Sequence, residues 1–468
     1  MFSNYLGVAK SISYMSVPIA VGIVIQSLYL LIDLFFVSHL GANAVAGVTS
    51  TATAALLTGM LGQLVGIGAV ALIGQALGAG HFAHARRIFI HAGLMAVLCS
   101  GAVVVAGYMG GAQVLSRLAS GAAAQQMGES YLNGYLPGLA LQIIMTVATF
   151  GLRAAGEPYG PLIAQCVSVP VNLVLAPLLI FGVPGVNGMG TFGAGLATTI
   201  ATAVAVVIIL RRAFDRYRKF DQPRIAFRWE YSIARKIFSV GLPAGLETLV
   251  IYMYTGLMYW AAAKLGAPVQ AAIGISLMLI QALFIPSVSV AHGCVPVAAY
   301  YMGAGDMGKV KKIYVVAFAL VSSVMSCLTW VCSVWGNNLV SFFSSDHQVL
   351  DEATYVLACL ALNFVTSGLS HINSSILQAA GRTIWSLLAI CTRLAIFVVP
   401  LYLLVGVNQV TLQRLCLLSN LAFFFQALVG SYAVYLVIKT PTFAASAPEV
   451  AISCGFDSLL MNKERQDS

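Results

Sequence analysis

Charge is scarce in this chain. Only 8% of its 468 residues are Asp, Glu, Lys or Arg, where an ordinary soluble domain carries about 25%. That leaves too little charge to cover a water-facing surface, and 60% apolar residues mark a polytopic membrane protein. Acids are the scarcest, 15 against 24 Lys and Arg. The nine cysteines (Cys99, Cys166, Cys294, Cys327, Cys332, Cys359, Cys391, Cys416 and Cys454) stand singly with no CxxC or CxxH pair. Neither a zinc site nor a disulfide framework is indicated, and no metal or other cofactor is expected. A phosphate loop GxxxxGK[ST], an HExxH pair and a paired-carboxylate motif are all missing. The chain is therefore not expected to be an enzyme or to hydrolyse ATP, and any transport must run on an ion gradient. The first apolar run has no cleavage site after a short core, so it is expected to stay as a helix.

Hydrophobic runs broken by Gly, Pro or charge predict twelve spans, near 16–38, 46–77, 86–109, 128–153, 159–182, 193–212, 236–263, 269–302, 310–335, 350–380, 384–405 and 411–437. This gives an all-α membrane fold in five parts. Residues 1–15 form an interfacial head, 16–212 a first lobe, 213–235 a basic linker, 236–437 a second lobe and 438–468 a tail. The stretch Arg211 to Lys236 holds nine of the 24 basic residues. With the N-terminus inside, 20 Lys and Arg fall in cytoplasmic segments and three (Arg117, Lys264 and Arg414) outside, with Arg393 left within the eleventh span. Such asymmetry sets both termini and the linker in the cytoplasm of a multi-pass plasma (inner) membrane protein. It accounts for the net charge of +9 without nucleic acid, through attraction to an acidic leaflet. The expected partners are membrane lipid and small drug-like molecules, with the chain itself a monomer.

The chain repeats itself. His39-Leu40-Gly41-Ala42 returns as Lys264-Leu265-Gly266-Ala267, and Gly78-Ala79-Gly80 as Gly303-Ala304-Gly305. Arg86-Arg87-Ile88 returns as Lys311-Lys312-Ile313, and Arg153-Ala154-Ala155-Gly156 as Gln378-Ala379-Ala380-Gly381. All four pairs are offset by 225 residues. Six spans per half is an even number, so the halves enter the membrane in the same direction. Transporters built from parallel repeats bind substrate between them, near mid-membrane. Small residues, including Gly62 and Gly66 in GxxxG spacing, suit close helix packing.

Two acids lie well inside spans, Asp33 and Glu247, with Glu129 near an entrance. A charge at membrane depth costs on the order of 3 kcal/mol, so an intramembrane acid is first a functional candidate and second a polar patch joining helices. Tyr29 lies one turn before Asp33 and Gln26 two turns before, on the same face. Pro18, further down the helix, can kink it or free a carbonyl. Tyr254 shares a face with Glu247. Tyr29, Tyr254, Phe36 and Trp260 are candidates for cation–π contacts. The acids are not equivalent in the repeat: Asp33 maps onto Met258 and Glu247 onto Gly22. His292 and His371 are either proton relays or neutral hydrogen-bonded residues. Asn172, Thr198 and Asn363 either line a cavity or pair helices.

These residues resemble the multidrug and toxin extrusion (MATE) family over nearly all twelve spans. Pro18…Gln26…Tyr29…Asp33 followed by HLGANAVAGV is similar to the family's first helix. QALGAGHFAHARRI and YYMGAGDMGKVKKI resemble paired connections, LRAAGEPYGPLIAQCVSVPVNLVLAPLLIFG the fourth-to-fifth segment, GTFGAGLATTIAT the sixth helix and GLPAGLETL the second-lobe opening. The resemblance implies two six-helix lobes in a V and export of organic cations in exchange for protons or sodium. In the DinF-like branch it implies an ion-coupling site of Asp33, Gln26, Tyr29, Asn172 and Thr198, with a helix kink at Pro18. That branch has a fifth-helix Asp where this chain has Ala176. The NorM-like branch has a Glu where this chain has Ile251, and its tenth-helix Asp has no counterpart here. The substrate cavity is expected to include Asp33, Glu247, Tyr254 and Phe36. One carboxylate without a second acid favours H+ over Na+ as the coupling ion, since burial favours the neutral carboxyl. The alternatives are a lipid-linked saccharide flippase, with Arg393 its one candidate for phosphate, and a membrane-embedded transferase.

Overall fold

The computed structural model describes residues 2–118, 121–220, 229–343, 346–406 and 409–440. Parts of the basic linker (221–228) and the tail (441–468) lie outside the described residues. The described residues are mainly helical. In the first half, α1 (Phe2–Ser38), α2 (Ala42–Ser50), α3 (Ala52–Gly78), α4 (Phe82–Leu118), α5 (Ala122–Ala154), α6 (Tyr159–Phe181) and α7 (Gly190–Arg218) follow in order. A two-residue antiparallel hairpin, Gly182–Val183 with Val186–Asn187, joins α6 to α7. The second half comprises α8 (Tyr231–Ala263), α9 (Ala267–Leu283), α10 (Ile285–Gly303), α11 (Met307–Ser341), α12 (His347–Ala361), α13 (Phe364–Ala379), α14 (Thr383–Gly406) and α15 (Leu412–Lys439). Helices satisfy their own backbone, which hydrocarbon cannot do for them. Among the described residues, ten stretches are long and apolar enough to cross a membrane, and twelve if each bent pair counts as one span.

Two expected spans are bent pairs. α9 and α10 meet at 43°, with Pro286 the second residue of α10, where its missing N–H costs no helical bond. α12 and α13 meet at 49° without a proline, where Asn363 precedes α13. The head expected as a separate interfacial segment instead begins α1. That helix runs from Phe2 through Pro18 to Ser38 as one element.

The repeat shows in the turns. Gly41, Gly80 and Gly156 have φ of 102°, 75° and 79°, and their counterparts Gly266, Gly305 and Gly381 have 107°, 75° and 68°. Side chains avoid this left-handed region, so glycine is required at each turn. The helix ends close alike: His81 N–H donates to the Ala76 carbonyl as Asp306 does to Tyr301, and Glu157 to Leu152 as Arg382 does to Leu377. This long back-reaching bond after a left-handed glycine caps the orphan carbonyls of a helix end.

The chain divides into two compact units, but the cut does not fall in the basic linker. One unit is Val21–Leu242, and the other joins Met1–Ala20 to the described residues from Pro243 on. Pro18 and Pro243, 225 residues apart, stand near the two cuts. Backbone contact explains the assignment. In the first-half unit, Gly68 and Gly241 bring α3 and α8 so close that a Cβ on Gly68 would strike the Ile237 carbonyl, and one on Gly241 the Leu64 carbonyl. In the other unit, Gly293 of α10 packs on Ser16 of α1, whose repeat counterpart is Gly241. Gly62 and Gly66 face Thr146 and Phe150 of α5, so this GxxxG pair serves helix packing.

Candidate functional site

Within the first-half unit, three helices bring four predicted residues together. Thr198 Oγ1 (α7) lies 3.0 Å from Asp33 Oδ2 (α1). Asn172 Nδ2 (α6) donates to Tyr29 Oη at 2.7 Å and to Thr198 Oγ1 at 3.4 Å. Asn172 and Thr198 are buried, and Asp33 and Tyr29 half-buried. Thr198 Oγ1 is also 3.0 Å from the Ala194 carbonyl, one turn back. The hydroxyl has one hydrogen for two acceptors. A charged Asp33 takes that hydrogen; a protonated Asp33 supplies its own O–H and leaves the threonine to its helix carbonyl. The group thus has two internally consistent hydrogen-bond states that differ by one proton. Asn172 Oδ1 is buried without a hydrogen bond among the described residues.

Gln26 does not join this group. It is exposed, and no hydrogen bond links it to Asp33, Tyr29 or Asn172 among the described residues. Two turns of helix amount to about 10 Å, which a shared face does not shorten. Phe36 and Ala176 both belong to an apolar cluster with Val37, Ala44, Tyr131, Ile180, Ala194 and Ala197. The position where the related branch carries an acid is therefore filled by packed hydrocarbon.

Glu247 sits in a separate polar group inside the other unit. Ser374 Oγ donates to Glu247 Oε2 at 2.9 Å, and itself accepts from Ser386 Oγ at 2.6 Å and Gln378 Nε2 at 3.0 Å. These three partners, from α13 and α14, were missed in the sequence because serines are common in its apolar spans. Glu247 Oε1 is buried without a hydrogen bond among the described residues. Tyr254, two turns on from Glu247 on the same helix face, is held in another group: its hydroxyl meets Ser419 Oγ at 2.7 Å, and Asn363 Nδ2 donates to the same oxygen at 3.2 Å. The reason is again two turns of helix between Glu247 and Tyr254. Trp260 is 47% exposed and carries Lys264 Nζ 5.3 Å from its ring centre, so it joins neither group. His371 is bonded to Ser287 at 3.0 Å, and Glu129 accepts from Gln125 at 2.9 Å.

A family model described as MatE matches residues 18–178 and again 243–404, once in each half. The FAD transporter of Shewanella oneidensis is 26% identical over 394 residues, 83% of this chain and 86% of that one. The multidrug export protein MepA of Staphylococcus haemolyticus is 25% identical over 387 residues, 80% of this chain and 82% of that one. Among solved structures, the bent form of the Vibrio cholerae MATE transporter VcmN aligns with a TM-score of 0.87 at 18% identity, over 94% of this chain and 99% of that one.

Proposed function

Because the chain belongs to the MatE family of membrane transporters, we propose that it exports amphipathic organic cations and related toxic compounds from the cytoplasm by antiport with protons. Multidrug export comes from the relatives named MepA. The coupling is read from the Asp33 group, and the two hydrogen-bond states around Thr198 are the observation that carries it. A proton needs one carboxylate. A sodium ion needs several oxygens at once, and apolar Ala176 withholds one charged ligand. A cationic substrate favours the charged carboxylate and expels the proton, so the two occupants compete through Asp33 in alternating access. Glu247, with its own serine-lined group, is assigned to substrate binding.

Proteoliposomes test the reading. An imposed proton gradient without sodium is expected to drive export of a fluorescent organic cation. Export driven only by a sodium gradient, at equal pH on both sides, overturns it. The same reading sets both termini and the basic linker in the cytoplasm, where the charge asymmetry puts them. A membrane-impermeant thiol reagent is then expected to label Gln222→Cys, above the background of native cysteines, only after permeabilisation. Labelling in intact cells reverses the orientation.

A further inference from the structure

The second-half unit contains a buried cation that pairs with no acid among the described residues. Arg393 stands near the middle of α14 and is 6% exposed. Its guanidinium carbon is 4.5 Å from the ring centre of Tyr254 on α8 and 4.6 Å from that of Phe423 on α15. Phe397, one turn along α14, packs edge-on to Tyr254 with ring centres 4.9 Å apart. Aromatic faces attract a cation but accept no strong hydrogen bond from it. The Tyr254 hydroxyl is already engaged with Ser419. His371, the other titratable group in electrostatic reach, is bonded to Ser287.

The guanidinium's Nε and Nη2 are both buried and make no hydrogen bond among the described residues. These two nitrogens share one edge, with their N–H bonds side by side. That edge is the fork that grips two oxygens of one oxyanion. A buried charge left this way is costly unless a partner arrives. Ring faces alone would be served equally well by a guanidinium turned to meet a carbonyl.

We propose that Arg393 is an anion subsite within the second-half unit, taking the oxyanion of a small organic phosphate. The fork holds the phosphate, while the rings of Tyr254 and Phe423 hold the guanidinium itself in place. This site is independent of proton coupling at Asp33, and it extends the substrate range beyond cations.

Riboflavin 5′-phosphate and riboflavin differ only in the phosphate, and their fluorescence is quenched on stacking. Titrated onto the purified full-length protein in a phosphate-free detergent, the phosphate form is expected to bind at least about tenfold tighter, the return on a charge-assisted bidentate contact. Arg393→Gln is expected to erase that preference and leave riboflavin affinity unchanged. Arg393→Lys keeps the charge without the fork and is expected to retain only part of the preference. It decides the matter if Arg393→Gln does not fold. Equal affinity for the two flavins in the native protein overturns the proposal, as does a preference that survives in folded Arg393→Gln or is undiminished in Arg393→Lys. Displacement of the flavin phosphate by phosphatidylglycerol overturns it in favour of a lipid headgroup. No gradient is involved, so a failure of coupling at Asp33 leaves the result unaffected.

Discussion

Tyr29, Asp33, Asn172 and Thr198 in the first half correspond, 225 residues on, to Tyr254, Met258, Phe397 and Phe423 in the second. The first set is a hydrogen-bonded group around a carboxylate. The second is an aromatic cluster around a guanidinium, with Met258 fully packed. Only the tyrosine is common to both. Arg393 in turn has Ser168 as its counterpart, and that serine merely bonds the Ala201 carbonyl at 3.0 Å. Glu247 has Gly22, where a Cβ would stand 2.7 Å from the Gln165 amide oxygen. The backbone turns keep the same positive φ in both halves, the Gly80 and Gly305 pair at 75° in each, while the charges they position differ in sign and place. Repeating a fold has not repeated its chemistry.

The strongest way to break this comparison is Asp33→Asn. Driven efflux is expected to fall to the background of cells lacking the protein, at unchanged membrane abundance on an immunoblot. Glu247→Gln is expected to do less: a changed substrate spectrum or apparent affinity, with some efflux remaining in a drug-susceptibility panel. Equal and complete loss in both would mean the halves share the coupling role. Ala176→Asp sharpens the ion assignment. An acid placed in that apolar cluster should lower abundance, at a cost on the order of 3 kcal/mol. The protein that does fold should gain stimulation by sodium in proteoliposomes; no sodium response would detach Ala176 from ion choice. The smallest effect concerns what the halves share. Gly41→Ala and Gly266→Ala both force a side chain into a glycine-only conformation, with open space around it at Gly41 and no more than ordinary contact with Pro268 at Gly266. Each is expected to cost about 1–3 kcal/mol, read as a lowered melting point in detergent. The two drops should match, and a large inequality would show that the turns are not equivalent.

The first-half group was legible because an acid and an asparagine are rare residue types for an apolar helix. Thr198 is one of four threonines in α7, and the family resemblance joins it to them. Gln26 and Tyr254 share a helix face with Asp33 and Glu247, but a shared face says nothing of distance along it, and neither is hydrogen-bonded to its acid among the described residues. Ser374, Gln378 and Ser386 escaped because small polar residues also serve ordinary packing, and only the fold shows which of them turn towards Glu247. The break before α13 was silent since no proline marks it, whereas Pro286 advertised the bend before α10. The units' true composition was also hidden. Hydropathy finds where a helix crosses, but not which bundle its first turns lie against, and for α1 and α8 that is settled by Ser16 meeting Gly293 and by the Gly68 and Gly241 backbone contacts.

Those first turns make the chain a domain swap with itself. Each compact unit is completed by a stretch encoded in the opposite half, Met1–Ala20 in one case and the residues just before Pro243 in the other. A gene divided in the 221–228 segment would yield two polypeptides, each carrying a piece of its partner's fold and lacking a piece of its own. Made separately, they would leave the glycine faces of α3 and α10 uncovered. Made together, they have reason to find one another, as swapped protomers do. The two halves are therefore better regarded as obligate partners sharing one covalent thread than as two bundles that happen to be linked.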